Sequence, residues 1–259
     1  MLAPWQLPSA LLGLTLVERL PPTYDADALR AELEAVRERY RPSTQVGPHH
    51  NGKWNRLGLF SPSGDPTRST ARPGESKART EVLDLMPTVA RCLDLFGDDM
   101  VAASLSIMEP GASVRWHRDP EQTADSTYMR LHLPLVTTPQ SVMDLGHRRW
   151  HLGAGHLWYG DFSFPHRVFN GSPAQRVHVM VDVRPTAAMT ALLSPRFEAE
   201  RAKRAVARRL AARVFDFSER FHAEGRYAAA FRRERDAAQR EGRPFNPAHV
   251  GMLRADPRG

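Results

Sequence analysis

The chain is poor in cysteine and in long apolar runs. Cys92 is the one cysteine among 259 residues, which excludes an intramolecular disulfide and fits a reducing compartment. The apolar patch from Leu7 to Val17 is interrupted by proline, is too short to span a bilayer and has no basic residue before it. We therefore expect no membrane association and a cytoplasmic location. With 41% apolar residues, the chain can still form a sizeable core.

The basic excess is confined to one end of the chain. Residues 1–193 contain 20 Lys+Arg and 20 Asp+Glu, whereas residues 194–259 contain 16 and 9, which accounts for the whole net charge of +7. Aromatic residues do not alternate with the basic residues of this tail, so nucleic acid is not a favoured partner. The shift in composition predicts a catalytic or binding domain over 1–193 and a basic helical extension over 194–259.

Apolar residues of the tail recur at mostly helical spacings. This pattern predicts helices that pack one apolar stripe on the domain and leave the arginines in solvent. The tail is also a candidate contact for a homodimer. The residues of the expected stripe are Phe197, Val206, Leu210, Val214, Phe217 and Phe221.

Short strands separated by turn residues dominate the middle of the chain. Eight strands are expected, at Ala102–Met108, Val114–Asp119, Met129–Leu135, Ser141–Leu145, Arg149–Leu152, Gly155–Tyr159, His166–Phe169 and Arg176–Val183. Upstream we expect a strand near Leu12–Glu18, a helix from Ala26 to Arg39 capped by Asp25, a strand at Trp54–Phe60, a polar loop over 61–75 and a helix at Glu81–Phe96. The pattern favours a mainly β, jelly-roll or cupin-like core with flanking helices.

Two histidines and one carboxylate have the order expected of a facial metal site. His117 and Asp119 are two residues apart and would share one face of a strand, while Arg118 would point away. His166 follows 47 residues after Asp119 and could supply a third ligand from another strand. This ligand set leaves coordination positions open and is used by non-heme Fe(II) oxygenases that bind O2.

Arg176 strengthens this interpretation. It lies ten residues after His166, across a turn at 170–173, so its guanidinium can return to the neighbourhood of the metal. A planar cation suits a carboxylate, and the distal carboxylate of 2-oxoglutarate would be such a partner. An H-x-D pair alone is common on protein surfaces, but the ordered set of four residues is much more specific.

Three segments carry a resemblance to a known family. The runs at 129–135, 153–158 and 161–182 look like those of the aspartyl/asparaginyl β-hydroxylases, and the order of features is most similar to the bacterial L-proline cis-4-hydroxylase branch. The resemblance implies a double-stranded β-helix oxygenase that depends on Fe(II) and 2-oxoglutarate and hydroxylates an amino acid, free or within a peptide. Asp119 is present here, whereas the animal enzymes lack this carboxylate ligand.

The resemblance also assigns individual residues. It implies that His117, Asp119 and His166 hold the iron and that Arg176 anchors 2-oxoglutarate. Further cosubstrate contacts would come from Ser106, Arg130 and His132. Ser104 stands where the proline hydroxylases carry an arginine. The candidates for contacting substrate are His49, His50, Trp54, Arg56 and Arg118.

Two other functions are open at this point. A cupin-like isomerase or hydrolase would use the same barrel with a metal as Lewis acid, but it would not need a fixed dicarboxylate anchor. A non-catalytic binding protein could dock a partner through the basic tail, but it would not need a complete ligand triad.

Overall fold

The computed structural model describes residues 2–68 and 77–245. In this part of the chain no helix is both long enough and apolar enough to cross a membrane. Short 3-10 segments lie at Pro4–Gln6, Glu81–Leu85 and Gly97–Asp99. The α-helices are α1 (Leu7–Leu11), α2 (Ala26–Arg39), α3 (Pro87–Asp94), α4 (Ala187–Thr190), α5 (Pro195–Ala199), α6 (Arg201–Glu219) and α7 (Ala223–Arg240).

The strands form a seven-stranded, a four-stranded and a two-stranded antiparallel sheet. They are β1 (Val17–Thr23), β2 (Ser43–Thr44), β3 (Trp54–Gly58), β4 (Phe60–Ser61), β5 (Ala78–Arg79), β6 (Met100–Met108), β7 (Ser113–His117), β8 (Met129–Val136), β9 (Ser141–Leu145), β10 (Arg148–Trp150), β11 (His156–Gly160), β12 (His166–Asn170) and β13 (Arg176–Val183). The large sheet has the order β1-β11-β8-β13-β6-β3-β2, the smaller one β10-β9-β12-β7, and β4 pairs with β5. This architecture confirms the expected mainly β, cupin-like class, and the eight expected strands are present with bounds shifted by at most two residues.

One face of the large sheet forms the main core. Along β13 the odd-numbered residues from Val177 to Val183 pack with Leu105 of β6 and with Leu131 and Leu133 of β8, all fully buried. Helices α2 and α3 cover this face through Leu29, Leu33, Val36, Val89 and Cys92. The predicted helix Ala26–Arg39 is confirmed, and the Asp25 side chain accepts hydrogen bonds from the first-turn amides of Asp27 and Ala28.

The opposite face of the same strands is polar. Because successive side chains alternate, Arg176, His178 and Asp182 of β13 share a face with Ser104 and Ser106 of β6. Arg130 and His132 of β8 are paired opposite Asp182 and Met180 of β13 and continue this surface. The surface faces the smaller sheet, because the His132 ring lies 5.4 Å from the Phe162 ring, which lies 4.9 Å from the His166 ring of β12.

Two upstream predictions are wrong. The segment expected as a strand near Leu12–Glu18 enters a strand only at Val17, because Leu14 and Leu16 are buried on an unpaired stretch of chain rather than in a ladder. The helix expected over Glu81–Phe96 is split into Glu81–Leu85 and Pro87–Asp94. Pro87 disfavours helical geometry in the residue before it, and Met86 has φ −127° and ψ 61°.

The C-terminal helices pack with a different face from the one expected. Phe197 is buried, but Val206, Leu210, Phe217 and Phe221 are exposed and Val214 is only partly buried. The face of α6 that meets the barrel instead contains Arg204, Ala207, Ala211 and Phe215. Small alanine side chains let the helix approach closely, and arginine stems can be buried when the head group has a partner.

The expectation that all arginines of the tail are solvated is also wrong. Arg204 is fully buried, its guanidinium lies 3.3 Å from the Phe197 ring centre, and it donates to the Phe197 carbonyl. Arg208 is largely buried and pairs with the carboxylates of Asp125 and Asp161 at 2.8 Å each. The barrel surface beneath α6 is acidic, which explains why arginines rather than large apolar residues meet it.

Candidate metal centre and cosubstrate cavity

The structure brings His117, Asp119 and His166 together. Each offers one ligand atom, and these atoms all lie within 4.8 Å of one another. The Asp119 Oδ2 atom is 4.0 Å from the Nε2 atom of each histidine. Strands β7 and β12 are neighbours in the smaller sheet, and His117 is paired directly with His166 across them.

Asp119 reaches this group from a loop. The strand expected over Val114–Asp119 ends at His117, so alternation along one strand is the wrong reason for the proximity of the two ligands. The amide of Asp119 donates to the Phe162 carbonyl at 3.0 Å, which fixes the loop against the segment before His166. The carboxylate is therefore positioned by a contact between two loops.

Backbone carbonyls orient both imidazoles. Nδ1 of His117 lies 2.8 Å from the Arg115 carbonyl, and Nδ1 of His166 lies 3.0 Å from the Phe164 carbonyl. Because a carbonyl only accepts, each Nδ1 carries the hydrogen and donates it. The Nε2 lone pairs are left free and point toward Asp119, which is the arrangement that metal-binding histidines require.

The protonation states suit a divalent cation. Burial and the neighbouring His117 lower the pKa of His166 to about 3, so its imidazole is neutral near pH 7. Burial would raise the pKa of Asp119, but His117, His166 and Arg130 outweigh this effect and hold it below its usual value. Metal binding needs neutral imidazoles and ionised carboxylates, and His166 and Asp119 meet these conditions without a proton being removed.

Arg176 is buried on the polar face of the large sheet and has no acidic partner among the described residues. Its side chain is buried, and its guanidinium donates to the Met108 sulfur at 3.4 Å. In the described part of the chain no carboxylate lies within ion-pair distance of it. Burial lowers its pKa to about 10, so it remains charged near neutral pH. A buried charge without a counter-ion is costly, which is expected where a ligand supplies the anion.

Two buried histidines flank this arginine. The ring nitrogens of His132 and His178 have no hydrogen-bond partner among the described residues, and the two ring centres are 5.6 Å apart. Burial first, and then the charge of Arg176, lowers the pKa of each well below its usual value. The Arg176 guanidinium thus lies beside histidine ring nitrogens that have no partner among the described residues, a set of groups that fits a buried carboxylate.

His178 was missed by the sequence-based reasoning. It lies within the apolar run 177–181, where a histidine is most simply explained as core. Its two-residue spacing from Arg176 on one strand was the available signal, because residues i and i+2 share a face.

The other expected cosubstrate residues already have protein partners. The Ser106 hydroxyl accepts a hydrogen bond from Trp54 Nε1 at 2.9 Å. Arg130 is held by Asp182 through two hydrogen bonds of 2.8 Å, and its Nη1 atom lies 3.7 Å from Asp119. Arg130 therefore links the metal group to Asp182, a residue that the sequence did not single out.

Arg56 brings a guanidinium to the position of Ser104. From β3 it donates to the Ser104 hydroxyl through Nε at 3.2 Å and Nη2 at 2.7 Å. Burial and the neighbouring Arg130 lower its pKa to about 10. Arg56 thus brings a guanidinium from β3 to the polar face of β6 at Ser104.

The remaining substrate candidates lie at the mouth of the site. The His49 ring is stacked on His117 with centres 5.2 Å apart, and His50 meets Trp54 edge-on at 5.5 Å. Arg118 points away from the metal group, and Asp216 of α6 accepts its hydrogen bonds at 2.9–3.2 Å. His49 and His117 therefore border the opening, whereas the Arg118 guanidinium is already paired.

A family model described as aspartyl/asparaginyl beta-hydroxylase matches residues 24–185, more than half of the chain. The chain belongs to the aspartyl/asparaginyl β-hydroxylase family. This confirms the resemblance identified in the sequence. The match ends before α4 and does not include the C-terminal helices.

The individual proteins that this chain resembles are similar to it over a short stretch or at low sequence identity. L-proline cis-4-hydroxylase of Rhizobium meliloti (strain 1021) is 35% identical over 63 residues, which is 24% of this chain and 22% of that protein. An oxidoreductase of the 2OG-Fe(II) oxygenase family from Burkholderia pseudomallei is 14% identical with a TM-score of 0.45, covering 71% of this chain and 91% of the other. A prolyl-4-hydroxylase from Pseudomonas putida is 17% identical with a TM-score of 0.40, covering 70% and 98%.

Proposed function

We propose that this protein is an Fe(II)- and 2-oxoglutarate-dependent dioxygenase that hydroxylates an unactivated carbon of an amino acid, free or in a peptide. One observation carries the proposal. Two histidines and one carboxylate bring their ligand atoms within 4.8 Å of one another, and Arg176, on the sheet face that is turned toward them, has no acidic partner among the described residues. A metal-dependent isomerase or hydrolase would need the first feature but not the second.

The proposed reaction converts substrate C–H, 2-oxoglutarate and O2 into C–OH, succinate and CO2. Bound Fe(II), with 2-oxoglutarate and O2, would supply the oxidising chemistry. His117, Asp119 and His166 would hold the metal, and their fixed tautomers would leave Nε2 free to bind. Arg176 would bind the distal carboxylate of 2-oxoglutarate, with N–H donors from His132 and His178 beside it.

The protein's remaining task is positioning. In this reaction the side chains need not remove a proton from substrate, so rate depends on placing one C–H bond near the metal and on excluding water. Arg56 is the proposed contact for a substrate carboxylate. Among the described residues, its guanidinium donates hydrogen bonds only to the Ser104 hydroxyl, which is neutral. His49 and Trp54 would border the substrate.

Succinate formation tests the proposal. The protein is incubated with Fe(II), 2-oxoglutarate and a panel of amino acids and short peptides, and products are analysed for the mass of one added oxygen atom. His166→Ala should abolish both signals, whereas His147→Ala, on a surface turn that contacts Ser9, should retain them. Equal succinate formation by wild type and His166→Ala would contradict the proposal.

Three further assignments belong to the same proposal. Residues 1–193 would form the oxygenase domain and residues 194–259 a helical extension. A reducing compartment, the cytoplasm, is the proposed location, because Cys92 is a buried free thiol. A homodimer formed through the extension remains a prediction that size-exclusion chromatography with light scattering can test.

A further inference from the structure

The C-terminal helices are fixed next to the metal group. Arg118, which lies between the ligands His117 and Asp119, forms a bidentate ion pair with Asp216 near the end of α6. About two turns earlier in α6, Arg208 forms ion pairs with Asp125 and with the fully buried Asp161. These pairs tie α6 to the loop that carries Asp119 and to the segment before His166.

Helix α7 is held against the end of α6 by a close backbone approach. A Cβ atom added to Gly225 would lie 2.0 Å from the carbonyl oxygen of Glu219, so only glycine fits there without a shift of the backbone. Arg226 donates to the Phe221 carbonyl at 3.0 Å and closes the turn between the helices. The position of α7 is therefore defined by contacts of Gly225 and Arg226 with the backbone at the end of α6.

A pocket of about 540 Å³ lies between these helices and the metal group. His49 and His117 line one side, and residues of α6, α7 and their connection line the other. This volume lies in the usual range for small-molecule sites. A substrate that reaches the metal through this opening must pass the helical wall.

That wall is strongly basic. The pocket is lined by Arg220, Arg226 and Arg232. Arg118 and Asp216 also line it, but their charges cancel because they form an ion pair. Glu219 is the remaining acidic residue of the lining. Among the side chains that the structure describes, no carboxylate forms an ion pair with Arg220 or Arg232. Arg232 lines the same pocket as His49, whose ring is stacked on that of the metal ligand His117.

We propose that the C-terminal extension selects the substrate, and that Arg220 and Arg232 bind an acidic group of a small molecule at the end remote from the hydroxylated carbon. The proposal rests on the proposed function for the identity of the reaction but not for the anion site. The acidic group is a carboxylate or a phosphate. Both accept charge-assisted hydrogen bonds from guanidinium groups.

Matched acidic and neutral probes test this proposal. Binding is measured by calorimetry under anaerobic conditions, with the full chain loaded with Mn(II) and 2-oxoglutarate. The probes are L-aspartate against L-asparagine, L-glutamate against L-glutamine, and O-phospho-L-serine against L-serine. The first two pairs report on a carboxylate and the third on a phosphate.

We expect wild type to bind at least one acidic probe about tenfold or more tightly than its neutral partner, since a charge-assisted contact is worth at least this factor. The double variant Arg220→Gln/Arg232→Gln should erase the difference. Arg209→Gln/Arg233→Gln removes one exposed arginine from each of the same helices outside the pocket and should preserve it. If a probe is turned over, the pocket variant should raise KM and leave kcat nearly unchanged.

The outcomes separate this proposal from the proposed function. Equal binding of acidic and neutral probes by wild type, or a preference that survives in the pocket variant, would overturn the anion site even if succinate is formed. An acidic preference lost only in the pocket variant, in a protein that forms no succinate with any amino acid or peptide of the panel, would support the anion site and contradict the proposed reaction.

Discussion

Replacing Arg176 by methionine should separate the stability of the empty protein from its affinity for 2-oxoglutarate. The Arg176 guanidinium is buried, and its contact is with the neutral sulfur of Met108. A methionine of similar length removes a charge that has no acidic partner in the described residues. Even replacement of a buried ion pair by well-packed apolar residues is often neutral or stabilising, by about 1–4 kcal/mol, and a buried ion without a partner is costlier still. We therefore expect Arg176→Met to unfold at the same or a higher urea concentration than wild type without cosubstrate.

The effect of 2-oxoglutarate should be the opposite. Losing a charge-assisted contact costs about 1.5–3 kcal/mol, or roughly ten- to a hundredfold in affinity. A ligand present at 100 times its Kd stabilises the folded state by about 2.7 kcal/mol. Wild type loaded with Mn(II) should gain stability of this order at saturating 2-oxoglutarate, whereas Arg176→Met should gain little at the same concentration.

The assay is urea unfolding with Mn(II), with and without 2-oxoglutarate, followed by circular dichroism. Arg148→Met is the matched control, because Arg148 is exposed on β10 and lies on the other sheet. It should keep the full stabilisation by 2-oxoglutarate. Retention of that stabilisation in Arg176→Met would refute the role assigned to Arg176.

Three further predictions follow from named contacts. His166→Ala should lose Mn(II) binding in calorimetry but keep the circular dichroism spectrum of wild type, and a variant that binds Mn(II) normally would remove His166 from the ligand set. His178→Phe should weaken 2-oxoglutarate binding by about fivefold or more, because one neutral hydrogen bond is worth about 1 kcal/mol. An unchanged affinity would show that His178 does not contact 2-oxoglutarate and has a structural role. Arg208→Met should lower the free energy of unfolding by about 3–5 kcal/mol, because it leaves the fully buried Asp161 without its cation; a urea midpoint equal to that of wild type would contradict this.

The sequence was most informative where a function depends on local spacing. The strand pattern predicted the barrel, and the order His117, Asp119, His166 predicted residues that the fold does bring together. The family pattern reinforced both. Even there the detail was wrong for Asp119, which is fixed by the Phe162 carbonyl rather than by strand alternation.

The sequence was least informative where a function depends on long-range pairing. Val206 and Leu210 have the spacing of a buried stripe, but α6 is rotated so that Arg204 and Arg208 face the barrel. The partners of Arg208, Asp125 and Asp161, are far away in sequence and have no motif. The ion pair Arg118–Asp216 spans 98 residues, so no local pattern could place α6 beside the metal group.

The most direct test of the central claim is anomalous diffraction from crystals grown without oxygen in the presence of Mn(II) and 2-oxoglutarate. The account predicts one strong manganese peak within bonding distance of His117 Nε2, His166 Nε2 and an Asp119 oxygen, with the distal carboxylate of 2-oxoglutarate on Arg176. A peak bound by other residues, or a distal carboxylate held elsewhere while Arg176 remains without an anion, would contradict it.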